Sequence, residues 1–391
     1  MTHSRVQRDG LNGLTPELLG APTPTHFPFR HQASKPAMAP TNPATAMKYH
    51  FLGNTGLLVS QFSYGCFMVK ERALTFEQAL AVSETAFKLG VNFFDNAEMY
   101  AGGHSEEILG QVIKAGVERG TWTREDLVIS TKIFYGSDAF LPNGLNTQGL
   151  SRKHIIEGTK AALKRLDLDY VDLIFCHRPD AVTPIEETVR AMNHVIQQGW
   201  AFYWGTSEWG AGDIIEACEV ADRLGLIRPA FDQCHYSIYQ RTRVEAEFVN
   251  LYKKYKYGLT TFSPLESGVL TGKYSKGIQE GSRLAASWYQ GMSDVFMQKA
   301  EKAVKLEEVA KKVGCSLPQL ALAWCASNEH VSTVLFGATT PEQVEENLKA
   351  LAFIDKITPE IKAEIEAIVP FEITVLPQYD PYTYSMRAKY L

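Results

Sequence analysis

At 391 residues, with 45% hydrophobic and 21% charged side chains, the chain has a globular composition and enough length for one large core or two ordinary ones. Its formal charge of -5 supplies no basic surface for a nucleic-acid backbone, and no run approaches the roughly 18 apolar residues of a membrane span. The cysteines (Cys66, Cys176, Cys218, Cys234, Cys315, Cys325) have no CxxC spacing and no His/Cys cluster beside them, which argues against a metal site and for reduced thiols.

Residues 1–46 are rich in Pro, Thr and Ala and show little periodicity, so they read as a disordered extension without the apolar core of a secretory signal. Met47 stands just before the first strand-like run. The extension therefore reads either as sequence upstream of an internal start or as an atypical organelle-targeting segment. A main domain is expected over 47–370 and a tail over 371–391.

From Tyr49 the pattern reads as a β-hairpin turning at Asn54-Thr55-Gly56. Short β-prone runs then recur near 62–67, 91–95, 127–132, 171–176, 201–206, 231–236, 258–262 and 331–336. Amphipathic stretches such as Phe76 to Leu89, Ile155 to Leu166 and Ile185 to Gln198 separate them. Spacings close to 30 residues fit a strand, a helix and two loops, and eight such units predict an α/β fold, a closed (β/α)8 TIM barrel. The exception is the interval from Phe262 to Val331, where a long loop after the seventh barrel strand is expected to cover a ligand. A doubly wound open sheet competes, but no strand is followed by GxGxxG. Gly268 to Lys273 fails the P-loop pattern, since Tyr274 stands where Ser or Thr is required.

Asp95, Tyr100, Lys132 and His177 each sit at or just past the end of a predicted strand, so parallel strands would gather them at one mouth. A tyrosine donates a proton at neutral pH only if its phenolate is stabilised, and an ammonium such as Lys132 is the simplest stabiliser. Asp95 would keep that lysine charged, while His177 would polarise a carbonyl oxygen beside Tyr100. Taken singly, each has a structural alternative: a strand-end cap, a snorkelling lysine, a loop aromatic, a backbone-bonded histidine. Phe67, Phe134, Trp204 and Trp288 are candidate pocket walls with an equally available core reading.

Phe-Phe-Asp-Asn-Ala-Glu-Met-Tyr (93–100), Ser-Thr-Lys (130–132) and His177 resemble the catalytic tetrad of the aldo-keto reductases. More narrowly, Gly-Leu-Ser-Arg-Lys-His-Ile-Ile-Glu-Gly (149–158), Arg-Pro-Asp (178–180), Tyr-Trp-Gly-Thr-Ser (203–207) and Leu-Pro-Gln-Leu-Ala-Leu-Ala-Trp-Cys (317–325) are similar to the branch containing voltage-gated potassium-channel β-subunits. The resemblance implies reduction of aldehydes or ketones with NADPH, with Tyr100 as proton donor. It also implies a cytoplasmic homotetramer that meets a membrane only through a channel's cytosolic domain, where bound NADPH would act as a redox sensor. For the cofactor it implies Cys66, Phe67 and Asp95, Ser207 and Gln233 at the carboxamide, and Phe262, Ser263, Pro264, Leu265, Ser267, Lys273 and Arg283 along the covering loop. Gly337, Thr339, Gln343, Glu346 and Asn347 match the adenosine end. A helix beginning near Pro341, with Lys273 and Arg283, has independent sense as a site for a 2′-phosphate. Two departures stand out: His177 replaces the Asn of animal channel subunits, and Glu208 places a negative charge beside Ser207.

Overall fold

In the computed structural model, a hairpin of β1 (Tyr49–Phe51) and β2 (Leu58–Ser60) precedes a strand and helix alternation. It runs β3 (Phe62–Gly65), α1 (Phe76–Lys88), β4 (Phe93–Asp95), α2 (His104–Glu118), β5 (Val128–Ile133), α3 (Arg152–Leu166), β6 (Val171–Cys176), α4 (Ile185–Gln197) and β7 (Ala201–Ser207). It continues through α5 (Ala211–Leu224), β8 (Phe231–His235), α6 (Val249–Tyr255) and β9 (Gly258–Phe262). The long interval holds α7 (Ser293–Val313) and α8 (Leu317–Ala326), and β10 (Val331–Phe336), α9 (Pro341–Leu348) and α10 (Pro359–Ile368) complete the order. The structure describes residues 46–67, 73–137, 144–280, 282–286, 289, 291–377 and 379. The expected extension, apart from Ala46, and the expected tail beyond 377, apart from Tyr379, lie outside them.

Strands β3 to β10 pair in parallel and close in the order β10-β3-β4-β5-β6-β7-β8-β9, so the architecture is the (β/α)8 barrel that the spacing predicts. Helix ends carry local stop and start signals. Thr75 caps α1 in a reciprocal pair with Gln78, and at the start of α8 the Gln319 side chain accepts from the Ser316 nitrogen.

The two-residue period of the strands sorts side chains between two cores. Phe93, Val128, Leu173, Phe175 and Phe231 face the barrel interior, whereas Phe94, Ile129, Ile174 and Cys176 pack against the surrounding helices. One step further along each strand the interior turns polar. Asp95 follows Phe93 by two residues, and Ser130 and Lys132 follow Val128 by two and four. An apolar floor therefore lies beneath a polar upper layer.

The hairpin closes that floor. Leu52 and Val59 join the interior cluster, and Asn92 ties the hairpin to β4 by exchanging bonds with Ser60. The approach is close at Gly53, where φ is +55° and a Cβ would lie 2.5 Å from the carbonyl oxygen of Ala230 and the nitrogen of Gly258.

Candidate active site

At the C-terminal mouth, Lys132 Nζ donates to Asp95 Oδ2 at 2.6 Å, to the Asn96 carbonyl at 2.8 Å and to the Tyr100 hydroxyl at 3.0 Å. All three donors of the ammonium are used inside a site where Lys132 has no exposure and Asp95 2%. Asp95 Oδ1 accepts from Ser130 Oγ at 2.8 Å and from Gln233 Nε2 at 3.0 Å. The carboxylate is thus satisfied on both oxygens, as a buried ionised group must be.

Tyr100 arrives from a loop rather than a strand. It opens a short turn, Tyr100–Gly103, in which Ala101, Gly102 and Gly103 all have positive φ, and Asn96 braces the loop by donating to the Ser105 carbonyl at 3.0 Å. Burial raises the Tyr100 pKa, and the Lys132 ammonium opposes the rise without cancelling it. Burial works against a charged lysine too, yet Asp95 and the Tyr100 hydroxyl raise the pKa of Lys132, so it remains an ammonium.

His177 directly follows β6, with its backbone nitrogen bonded to the Ile133 carbonyl at 3.0 Å. Its ring meets the Tyr100 ring edge-on at 6.0 Å and the Tyr135 ring at 5.1 Å. Burial first, then the charges of Arg178 and Lys132, hold its pKa well below the ordinary value, so the imidazole is neutral at pH 7. A neutral imidazole beside a phenol held by an ammonium is an arrangement that can bind a carbonyl oxygen and hand it a proton.

Of the expected cofactor residues, Ser207 donates to the Gln233 carbonyl at 2.9 Å, and Gln233 lies beneath Asp95, so both ring the same mouth. Cys66 directly follows β3, with its backbone nitrogen on the Asp95 carbonyl and its thiol buried. Phe67 is 46% exposed and edge-on to Tyr100 at 5.0 Å. Phe262, which stacks on His235, leads into a loop where Ser263, Pro264, Leu265 and Ser267 follow one another and Lys273 folds back across Gly268. Arg283 opens a turn, Arg283–Ala285, and its side chain is outside the described set. After β10, Gly337 accepts from Asn347 Nδ2 at 3.3 Å, Gln343 Oε1 accepts from the Thr339 nitrogen at 2.8 Å, and Glu346 accepts from Gln319 and Lys349. These residues fall at the barrel mouth, along the loop after β9, and on α9, with Thr339 just before its start and Glu346 and Asn347 in its last turn.

The structure fixes three details of the site's surroundings. Of its two readings Trp204 takes the core one: it faces the helices, fully buried, and its indole donates to the Ile227 carbonyl at 2.9 Å. Glu208 does not leave a loose charge beside Ser207. Its Oε1 accepts from the His235 nitrogen at 2.6 Å and its Oε2 lies 3.5 Å from Arg243 Nε. The cap of α9 is Thr340, whose side chain accepts from the Gln343 nitrogen, while Thr339 is held by the Gln343 side chain. Phe134 is buried beside Tyr135, and Trp288 lies outside the described residues.

Sequence reasoning missed Ser130, Tyr135 and Arg178. Ser130 shares the inward face of β5 with Lys132, which the two-residue period could have revealed. Arg178 Nη1 donates to the His177 carbonyl and, at 3.3 Å, to Ser207 Oγ. Tyr135 comes from a loop and had no periodic signal.

The sequence profile described as "Aldo/keto reductase family" matches residues 62–370. Proteins named "Probable voltage-gated potassium channel subunit beta" from Oryza sativa subsp. japonica and Arabidopsis thaliana are each 51% identical over 326 residues, 83% of this chain and 97% of theirs. A protein from Schizosaccharomyces pombe named "Putative voltage-gated potassium channel subunit beta" is 45% identical over 328 residues, 83% of this chain and 93% of its own. The chain therefore belongs to the aldo/keto reductase family of oxidoreductases, in the branch that holds the proteins named as voltage-gated potassium channel β subunits.

Proposed function

We propose that the chain is an NADPH-dependent reductase of aldehydes and ketones, with Tyr100 as proton donor. The observation that carries this reading is the buried triad in which Lys132 bridges Asp95 at 2.6 Å and Tyr100 at 3.0 Å, with neutral His177 alongside. Members of the family generally bind NAD(P)H, and the match of Lys273 and Arg283 to the covering loop of the family favours the 2′-phosphorylated form, whose charge a cation would meet. When bound, the dihydronicotinamide would supply a hydride to the carbonyl carbon, leaving NADP+ and an alkoxide oxygen. His177 holds that oxygen, and Tyr100 passes it a proton to give the alcohol. Lys132 stabilises the resulting phenolate until solvent reprotonates it, and Asp95, fixed by Ser130 and Gln233, keeps the lysine charged and oriented.

The test is the rate of NADPH oxidation by purified protein with a panel of aldehydes and quinones, beside Tyr100→Phe. Turnover that falls at least a hundredfold in the variant, with cofactor affinity kept, is the expected result. Equal rates in the two proteins would remove Tyr100 from the chemistry.

The names of the relatives favour a second role, as a cytoplasmic regulatory β-subunit, assembled as a homotetramer on a potassium channel and using bound NADPH as a redox sensor. Among the described residues no helix is long and apolar enough to cross a membrane, so in this role a membrane would be reached through the channel. Co-purification of a channel from native membranes supports it, and repeated failure to recover one weighs against it.

A further inference from the structure

The loop after β9 departs from ordinary backbone. Ser263, Glu266 and Ser267 have φ of 55°, 47° and 55°, and Gly268 follows at 93°. Non-glycine residues keep such a conformation only where their surroundings hold them in it.

Glu266 supplies that hold. Its side chain is buried at 4% exposure. Oε2 accepts from Ser237 Oγ at 2.7 Å and lies 3.0 Å from His235 Nε2, while Oε1 accepts from Lys299 Nζ at 2.5 Å. Burial would raise its pKa, but the bond and charge of His235 and the Lys299 ammonium bring it down to about 2, so it is ionised. Lys299 is itself fixed in α7: its carbonyl accepts from the Tyr239 hydroxyl at 2.7 Å, and its ammonium lies 5.6 Å from the Phe296 ring. A second tie runs beside it, since Ser267 Oγ and Tyr289 OH are 2.9 Å apart and Tyr289 meets Phe296 edge-on. Glu266 thus stands between two expected dinucleotide contacts, Leu265 and Ser267, but binds only the scaffold behind them.

We propose that Glu266 is a positioning residue that clamps the loop over 263–271 to the end of β8 and to α7, and that this clamp sets how fast a bound dinucleotide leaves. The inference rests on the cofactor reading above. It assigns α7, an addition to the repeating barrel pattern, a purpose: it is the post to which the covering loop is tied.

The experiment is a stopped-flow chase of NADPH fluorescence from the full chain, comparing wild type with Glu266→Gln and Lys299→Met. Neutralising a carboxylate that carries charge-assisted bonds is expected to speed release about tenfold, and losing the lysine alone about threefold. Association rates should stay near wild type, and both variants should keep one cooperative thermal transition at a lowered midpoint, so release measured well below that midpoint separates a clamp from a general fold defect. Release from both variants within a factor of about 1.5 of wild type would overturn the clamp and leave the cofactor reading intact. Wild-type protein that binds no NADPH would overturn the cofactor reading, and the clamp with it. Should Glu266→Gln not fold, Lys299→Met decides alone, because it leaves the carboxylate with His235 and Ser237.

Discussion

Replacing Lys132 by methionine separates the two things this lysine does. Methionine keeps much of the volume in a site with no solvent exposure, so the main loss is the charge. Without it Asp95 stays buried with Ser130 and Gln233 as its side-chain donors. Removing one partner of a buried ion pair costs about 3–5 kcal/mol, and two surviving donors put this case at the lower end, about 3 kcal/mol. The cost to chemistry is separate. At the 3.0 Å between Lys132 and Tyr100, an ammonium favours a phenolate by about 5 kcal/mol at an effective dielectric near ~20. Allowing for water at the mouth, and taking about 1.4 kcal/mol per decade, hydride transfer should slow about 10³-fold.

A second substitution makes the argument refutable. Adding Asp95→Asn to Lys132→Met removes the stranded charge, so most of the lost stability should return while the rate stays low. Urea unfolding followed by tryptophan fluorescence reads the first quantity, and single-turnover NADPH oxidation with saturating aldehyde reads the second. A single variant within tenfold of the wild-type rate would refute the role of the ammonium. A double variant no more stable than the single one would refute the stranded-carboxylate account.

Two pH effects of opposite sign should accompany this. Burial pushes Asp232 up to about 7, Thr206 and Arg243 opposing, so the folded state keeps a proton that the unfolded chain releases from about pH 4 upward. Stability from this group falls as pH rises through that window, and Asp232→Asn should shrink the difference between pH 4 and pH 8 by about 4 kcal/mol in urea unfolding. An unchanged pH slope would show that Asp232 titrates normally. Glu266, depressed to about 2, does the reverse: its stabilisation is complete above about pH 4.5 and is lost as pH falls toward 2. Glu266→Gln should flatten that acid limb by about 3 kcal/mol, and an acid limb identical to wild type would count against it. At the floor, Gly53→Ala forces a Cβ to within 2.5 Å of two backbone atoms at positive φ, which should cost about 2–5 kcal/mol and lower the thermal midpoint. A midpoint within 1 °C or so of wild type would mean the hairpin moves freely.

Which parts of the site were legible follows from where each residue lies on the chain. Asp95 and Lys132 could be read because both extend a two-residue alternation whose apolar members, Phe93 and Val128, face inward. Trp204 could have been read by the same rule. Ser207 belongs to the mouth, so 205 shares its face and 204 does not; Gly205 indeed lies against the interior Phe231 ring, and Trp204 points to the helices. Tyr100 had no such periodic signal, because it reaches the lysine through a turn that holds Ala101 at a φ of 51°, and only its place just past a strand end and the resemblance singled it out. Glu208 with Arg243, and Glu266 with Lys299, are pairs 35 and 33 residues apart in sequence, brought together by barrel closure and by the placement of α7. Loop chemistry of this kind is fixed by tertiary position, which no local period reports.

The floor and the site depend on each other. The interior cluster of Leu52, Val59, Phe93, Val128, Leu173, Phe175 and Phe231 keeps water from the underside of Lys132, whose ammonium lies 5.8 Å from the Phe175 ring. A low dielectric there makes an unpaired ammonium costly and a paired one strong, so the same packing that stabilises the barrel also ties the lysine to Asp95 and Tyr100. Opening the floor at Gly53, far along the strands from the chemistry, should therefore weaken the coupling between Lys132 and Tyr100 as well as the fold. The measurable sign is a Gly53→Ala protein that still binds NADPH with near wild-type affinity but turns over more slowly, with a smaller rate difference from its own Tyr100→Phe derivative. A wild-type rate in a demonstrably destabilised Gly53→Ala protein would show that the site is insulated from its floor.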